Sequence, residues 1–314
     1  MSSAPTVAAV VLSWNRREDT LACLESLEAV TYPALRIVCV DNGSSDGSAD
    51  AVASRFPEAL VRRLPTNLGF AGGMNEGIRA ALEDAAEYVF LLNNDMLVAR
   101  GFMEPLVAAL AVDPGAAAAC SQVVFAGSPD RTWYAGARFR PRRGYHGRHV
   151  RYGETPLPPS VPAYTTERAC AGAMLVARSV LERVGLFDVA LFAYGEDVDW
   201  SLRARSQGLH VLVVPASVVS HKVSASSGGE SSPATIYYNL RNGLVVSERW
   251  APLSRTGTIM RRVEAVLAHV AQSLLFSPRR LESLRAVRAG WWDFRRGRLG
   301  PSTTLAAGVS DDGP

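Results

Sequence analysis

The stretch "YVFLLNNDML", residues 88–97, carries an apolar run straight into Asn93, Asn94 and Asp95. The run is short and mixes aliphatic and aromatic residues, as a strand buried on both faces does. Its polar end suits a turn, because Asn and Asp bond their own backbone. It equally suits a metal–phosphate site, because a hard divalent cation takes oxygen ligands and bridges diphosphate oxygens. The same arrangement recurs upstream. "TVAAVVLS" (6–13) leads to Ser13, Trp14 and Asn15, "LRIVCV" (35–40) to Asp41 and Asn42, and "LVRRL" (60–64) to Asn67 and Gly69. Helical spacing over 18–30, with Leu21, Leu24 and Leu27 on one face, and helices near 48–55 and 71–83 separate these runs. Strands alternating with helices of this length predict an α/β fold, a mostly parallel sheet sandwiched by helices. The carboxyl ends of parallel strands lie along one edge, where ligands bind. Four polar clusters at four consecutive strand ends therefore point to a site.

Beyond residue 100 the pattern changes. Residues 131–168 are rich in Pro, Gly, Arg and aromatics without periodicity, which predicts a long functional loop, a hairpin with a mobile arm. A strand and a short helix ending near Gly185 follow, then a helix over 196–207 and strands at 210–215 and 216–222. Helices are expected over 231–250, with Pro233 in the first turn, and over 258–276 and 279–297. The small, polar tail 301–314 is expected to be disordered.

The 314 residues are 48% hydrophobic and 20% charged, an ordinary globular composition. A net charge of +3 argues against a polyanion binder, and no nucleic-acid motif is present, so nucleic acid is not an expected partner. The charge is uneven: eleven arginines against three acids lie between Arg249 and Arg298. With Leu274, Leu275, Phe276, Trp291 and Trp292 among them, this basic segment suits either a membrane surface or helices packed on the core with solvated arginine faces. Cys23, Cys39, Cys120 and Cys170 lack zinc or redox spacing and read as free buried thiols. No cleavable leader and no run of 18 apolar residues is seen, so a cytoplasmic protein is expected.

Several motifs could carry chemistry. "DNGSSDGS" (41–48) fits a turn into a helix, or an Asp41 that accepts a hydrogen bond from a base or sugar. "NLGFAGGMNEGI" (67–78) has glycines at a helix start. They suit amides approaching a diphosphate, or a tight strand–helix crossing. It is neither a Walker loop nor a nicotinamide fingerprint. "GEDVDWSLRARSQG" (195–208) gathers Glu196, Asp197 and Asp199 at a helix start. Acids favour that position structurally, and the helix dipole also keeps a general base ionised. His221, ahead of a Ser/Gly-rich stretch, is either structural or a metal ligand beside a closing loop.

Taken in order, "VVLSWNR" (10–16), "VDNGSSDGS" (40–48), "NLGFAGGMNEGI" (67–78), "LLNNDM" (91–96), "CAGAMLVAR" (170–178), "GEDVDWSLRARSQG" (195–208) and "HKVSASSGG" (221–229) resemble the inverting glycosyltransferases of family 2, with the GT-A fold. The resemblance covers about residues 6–250 and is strongest toward the rhamnosyltransferase and galactofuranosyltransferase branch. It implies a Rossmann-like nucleotide-sugar-binding half over 1–100, an acceptor and catalytic half over 101–250, and a basic helical extension over 251–300. It implies that Ser13, Asn15 and Asp41 contact the nucleotide, with Asn67, Gly69, Gly73, Asn75, Asn93 and Asn94 nearby. Asp95 and His221 would hold Mn2+ or Mg2+, the first acid of the family's D-x-D being Asn93 here. Asp197 matches the catalytic base, and Glu196 would orient acceptor hydroxyls. The implied partners are a nucleotide-diphosphate sugar donor, with dTDP-rhamnose ahead of UDP-galactofuranose and UDP-hexoses, and a saccharide, lipid-linked saccharide or metabolite acceptor. A peripheral position at the inner face of the plasma membrane, through the C-terminal helices, goes with a lipid-linked acceptor. Two rivals are disfavoured. A nucleotidyltransferase would carry a glycine loop with a catalytic Lys or Arg near the first strand. A non-catalytic nucleotide-sugar-binding subunit has no need of a base.

Overall fold

Strands β1 (Val7–Ser13), β2 (Leu35–Asp41), β3 (Leu60–Arg63) and β4 (Tyr88–Asn93) pair in parallel in the order β3-β2-β1-β4. The computed structural model describes residues 4–140, 148–222 and 232–303. Helices α1 (Arg17–Glu28), α2 (Ser48–Arg55) and α3 (Gly69–Glu83) make the crossovers. The apolar runs of β1 and β4 are almost wholly buried, as expected for strands covered on both faces. The register pairs Ser13 with Asp41, Leu12 with Asn93 and Asp41 with Arg63. The polar ends of these strands therefore share one edge of the sheet.

The second half extends this sheet with mixed directions. It contains β5 (Met96–Val98), α4 (Met103–Val112), β6 (Ala116–Phe125), β7 (Ser128–Tyr134), β8 (Ala137–Arg138), β9 (Arg148–His149), β10 (Tyr164–Thr166), β11 (Ala173–Ala177), α5 (Arg178–Val184), α6 (Glu196–Ser206) and β12 (His210–His221). The order runs β10-β12-β6-β11-β4-β1-β2-β3, with β5 on β12 and β7 on β6. Beyond the first four strands the pairings are antiparallel, except that β12 runs parallel to β6. Strand β11 returns from the 131–168 excursion and lies antiparallel to both β4 and β6. The two strands expected at 210–215 and 216–222 are one, β12. Its register slips between Val214 and Val218 around Pro215, which has no N–H for the ladder.

Helices α7 (Pro233–Trp250), α8 (Arg255–Leu275) and α9 (Arg280–Arg295) pack on one another and share a small core that includes Ile236, Leu240, Leu244, Ala286 and Val287. Ser232 caps α7 by accepting from the Thr235 N–H at 3.1 Å. All four cysteines are buried and free, as expected. The expected arm within 131–168 is partly strand (β7 to β10), and its residues 141–147 lie outside the described residues. So do the Ser/Gly-rich 223–231 stretch and the tail from 304 onward.

Candidate active site

The donor-side edge is knitted by its own polar side chains. Asn15 takes a left-handed conformation (φ 56°), its N–H donating to Ser44 Oγ at 2.8 Å and its Oδ1 accepting from the Ser45 N–H at 2.9 Å. This ties the loop after β1 to the loop after β2. Ser13 Oγ lies 2.9 Å from Thr20 Oγ1, which also accepts from Asn94 Nδ2 at 2.9 Å. Asp41 is buried, and its Oδ1 has no partner. A buried carboxylate oxygen left unmatched is costly unless something fills the role.

The glycine-rich segment resolves in favour of architecture. Asn42 donates to Asn67 Oδ1 (3.0 Å) and to the Gly69 carbonyl (3.1 Å), and accepts from the Leu68 N–H (2.9 Å). Asn67 Oδ1 accepts from the Gly69 N–H at 2.7 Å, and the Ala71 N–H donates to the Phe192 carbonyl at 3.1 Å. The amides expected to cradle a diphosphate are thus already used at Leu68, Gly69 and Ala71. A Cβ at Gly73 would come within 2.5 Å of Leu12 Cδ1, so this glycine answers the helix–strand crossing. Asn75 differs most from expectation: it is fully buried, Nδ2 donating to the Phe187 carbonyl (2.9 Å) and Oδ1 accepting from the Phe187 N–H (3.0 Å). Both polar ends engage Phe187 and clamp the chain that leads into α6.

At the end of β4 the polar cluster turns inward. Asp95 is buried and its Oδ2 lies 3.3 Å from His221 Nε2. Asp95 Oδ1, His221 Nδ1 and Asn93 Oδ1 are buried without partners. Two ligand atoms bound in neighbouring octahedral positions at about 2.1 Å from a cation sit about 3 Å apart. The Asp95–His221 spacing and the unmatched atoms therefore fit a divalent cation that this pair would hold. Among the described residues no group of three or more metal-ligating side chains forms. Beside the pair, an open cavity of about 670 Å³ is lined by His221, Lys222, Arg131, Tyr152 and Phe125.

The three acids of α6 separate into three roles. Asp199 is fully buried and accepts from Arg203 Nε (3.0 Å), Arg249 Nη1 (2.7 Å) and Trp250 Nε1 (2.9 Å), locking α6 to α7. Glu196 is buried with Oε2 unpartnered, and its pKa is pushed up to about 8 by burial and then by the Asp197 charge. Asp197 keeps a partly exposed carboxylate, 3.8 Å from Arg168 Nε. Burial thus favours a protonated Glu196 beside the Asp197 side chain.

A run of contacts joins the two ends of the site. Arg168 Nη2 donates to His149 Nε2 (2.6 Å), and His149 Nδ1 donates to the Trp133 carbonyl (2.9 Å). Burial and then the Arg168 charge lower the His149 pKa to about 3, so the ring is neutral. The Trp133 ring meets His149 edge-on at 4.7 Å and His221 at 4.5 Å between centroids. Asp95, His221, Trp133, His149, Arg168 and Asp197 are therefore contiguous. The 168–172 loop crosses between the same ends. The Ala169 N–H donates to Ser201 Oγ (3.0 Å), that hydroxyl donates to the Asp197 carbonyl (2.6 Å), and a Cβ at Gly172 would come within 2.9 Å of Asn93. Arg168, His149 and Trp133 were not singled out from sequence. Their partners lie far along the chain, and only the aromatic and arginine content of 131–168 hinted at them.

Behind the acids the backbone is strained. Phe192 sits at φ 64°, ψ −64°, with the Ala193 N–H donating to the Leu191 carbonyl at 2.7 Å, and Tyr194 also has a positive φ of 64°. Such conformations cost about 1–3 kcal/mol each and persist when the surroundings hold them. Asn242 Nδ2 donates to the carbonyls of Leu191 (2.8 Å), Ala193 (2.8 Å) and Tyr194 (2.6 Å), while Arg241 Nη2 donates to Leu191 (3.1 Å). Residues of α7 thus hold the turn that presents Glu196 and Asp197.

Comparisons with known proteins identify the family and the fold. The family model described as glycosyl transferase family 2 matches residues 8–185. An N-acetylglucosaminyl-diphospho-decaprenol L-rhamnosyltransferase of Mycobacterium tuberculosis is 31% identical over 82% of this chain and 90% of its own. A dTDP-rhamnosyl transferase of Shigella flexneri is 25% identical over 89% and 92%. Among solved structures, GalNAc-T7 with UDP, GalNAc and Mn2+ aligns with a TM-score of 0.62 at 18% identity, over 93% of this chain and 56% of that one. The mannosyltransferase PcManGT from Pyrobaculum calidifontis, in complex with GDP-Man and Mn2+, aligns at 0.55 and 18% identity, over 98% and 79%. These two likenesses establish the GT-A fold. This chain spans about half the length of the GalNAc-T7 chain.

Proposed function

This chain belongs to glycosyltransferase family 2, and from that premise we propose that it transfers L-rhamnose from dTDP-rhamnose to an acceptor hydroxyl, inverting the anomeric centre, with Asp197 as general base. The observation that carries the reading is the unbroken run of contacts from Asp95 and His221 to Asp197. It links the pair that would hold a cation to the Asp197 carboxylate.

Asp41, with its unmatched buried oxygen, accepts a hydrogen bond from the nucleotide, and the Asn15 and Asn42 networks hold the loops that enclose it. Asn67, Gly69, Gly73 and Asn75 build this frame and do not contact the donor. Asp95 and His221 would hold the Mn2+ or Mg2+, which when bound supplies positive charge against the diphosphate leaving group. Asp197 takes the proton from the acceptor hydroxyl. The oxygen's electron pair forms the new bond to the anomeric carbon as the carbon–oxygen bond to dTDP breaks on the opposite face. Arg168, steadied by His149, orients Asp197, and protonated Glu196 donates toward acceptor oxygens.

The donor assignment leans on the two relatives whose names specify rhamnosyl transfer. The name of the mycobacterial relative also favours a lipid-linked saccharide as acceptor. Such an acceptor would hold the enzyme at the inner face of the plasma membrane as a peripheral protein. None of the helices among the described residues is long and apolar enough to cross a membrane. A thermal-shift panel of dTDP-rhamnose, UDP-galactofuranose and UDP-hexoses, with and without Mn2+, tests the donor. A specific binder at a hundred times its Kd stabilises by about 2.7 kcal/mol. A shift with a UDP-sugar and none with dTDP-rhamnose would replace the donor.

A further inference from the structure

Helix α8 is built inside out. The residues it buries are Arg261, His269 and Ser273. The residues it exposes include Ile259, Met260, Val263, Leu267, Leu274 and Leu275, continuing to Phe276, which is 71% exposed. These recur three and four apart, so they form one stripe on the outer surface, about 25 Å long at 1.5 Å per residue. Glu264 is the one charged side chain within that stripe.

The inward side packs Ala265, Val266 and Val270 on the core shared with α7 and α9, and fits its polar groups among them. Arg261 donates to the Ser247 carbonyl at 2.8 Å and the Ala251 carbonyl at 2.7 Å, tying α8 to the end of α7. His269 Nδ1 donates to the Ala265 carbonyl and Ser273 Oγ to the His269 carbonyl. Rolling the helix to hide its leucines would break the Arg261 bonds and strand a guanidinium. The apolar face is therefore held outward, and a continuous exposed patch of this size marks an interaction surface.

Charge selects the occupant. Exposed Arg279, Arg280, Arg285 and Arg288 follow directly on α9, with Arg255 at the start of α8. The segment from Arg249 to Arg298 carries eleven arginines against three acids. A second copy of the chain would bring the same surplus of positive charge to the contact, whereas an anionic lipid surface complements it. An amphipathic helix with a basic border lies in the headgroup region, its apolar face among the upper acyl chains. We propose that the outer face of α8, with the arginines that open α9, docks on the surface of a bilayer containing anionic lipid. The inference concerns lipid binding alone and stands whether or not the acceptor is lipid-linked.

The test is flotation of the full chain with vesicles of phosphatidylglycerol and phosphatidylcholine in equal parts, against vesicles of phosphatidylcholine alone, with no acceptor present. The wild-type chain floats with the anionic vesicles, and high salt weakens the binding. The triple variant Met260→Ser, Val263→Ser, Leu267→Ser binds them at least tenfold more weakly with an unchanged thermal melt, since all three side chains are exposed. Arg280→Gln and Arg285→Gln each weaken anionic binding about fivefold and leave neutral vesicles unaffected. Absence of wild-type binding, or binding indifferent to the serine variant, overturns the proposal. So does a dimer by light scattering that the serine variant converts to monomer while vesicles are ignored.

Discussion

Replacing Asp197 by Asn leaves the shape of the site and removes its proton acceptor. The side chain is isosteric, and the Ser201 bond to residue 197 is made to the backbone carbonyl, so the start of α6 is retained. What is lost is the negative charge 3.8 Å from Arg168 and the ability to accept the acceptor's proton. A positioned general base contributes about 10²–10⁴-fold in rate, or roughly 3–5.5 kcal/mol of the barrier. The proposed donor contacts at Asp41 and at the Asp95–His221 pair do not involve residue 197. The expected result is kcat lower by about 10²–10⁴-fold with donor KM within a factor of about three. The assay is initial-rate transfer from labelled donor, with donor affinity checked by calorimetry. An Asn variant turning over within tenfold of wild type would remove Asp197 from the role of base. An equal loss in donor affinity would show that the residue serves binding.

Other outcomes follow from the same geometry. Burial and the Asp197 charge keep the folded Glu196 protonated up to about pH 8. The unfolded chain binds fewer protons from about pH 4.3 upward, so this group's contribution to stability falls as pH rises through that window. Glu196→Gln removes that penalty, and its melting temperature gains on wild type from pH 5 to pH 9; a constant difference across that range would refute the assignment. Asp95→Asn weakens Mn2+ binding in the presence of dTDP at least tenfold by calorimetry, and chelation lowers wild-type activity until Mn2+ is restored; equal rates with and without chelator would count against the cation-binding pair. Asp199→Ala strands donors from Arg203, Arg249 and Trp250 and costs about 2–4 kcal/mol in urea unfolding. A loss below about 0.5 kcal/mol would mean that the α6–α7 lock carries no weight.

The parallel half of the sheet was legible because β1, β4 and most of β2 are apolar runs ending in polar clusters, and those clusters lie on a shared edge. Strand β6 was not legible. Its first residues are alanines and a cysteine, with little β-propensity, and burial between β11 and β12 makes it a strand. The spacing of Glu196, Asp197 and Asp199 revealed a cluster but not its division, because Asp199's partners Arg249 and Trp250 are fifty residues away. The glycine-rich motif permitted either a phosphate cradle or a tight crossing. Only the bonds of Asn42, Asn67 and Asn75 decided for architecture. The period of the C-terminal helices left open whether their apolar residues met a membrane surface or packed on the core. Which way that period faced depended on Arg261 finding carbonyls on α7 and the segment after it.

The three carbonyls gathered by Asn242 have a practical consequence for anyone wishing to trim this enzyme. The last quarter of the polypeptide looks like an appendage that could be cut away to give a smaller, less sticky catalyst. Yet its first helix grips the bend from which Glu196 and Asp197 project. A shortened version ending near residue 230 would keep every residue of the cleft and still lose the posture that makes them useful, so solubility has to be engineered on the outer surface, by substitution, with the full length retained.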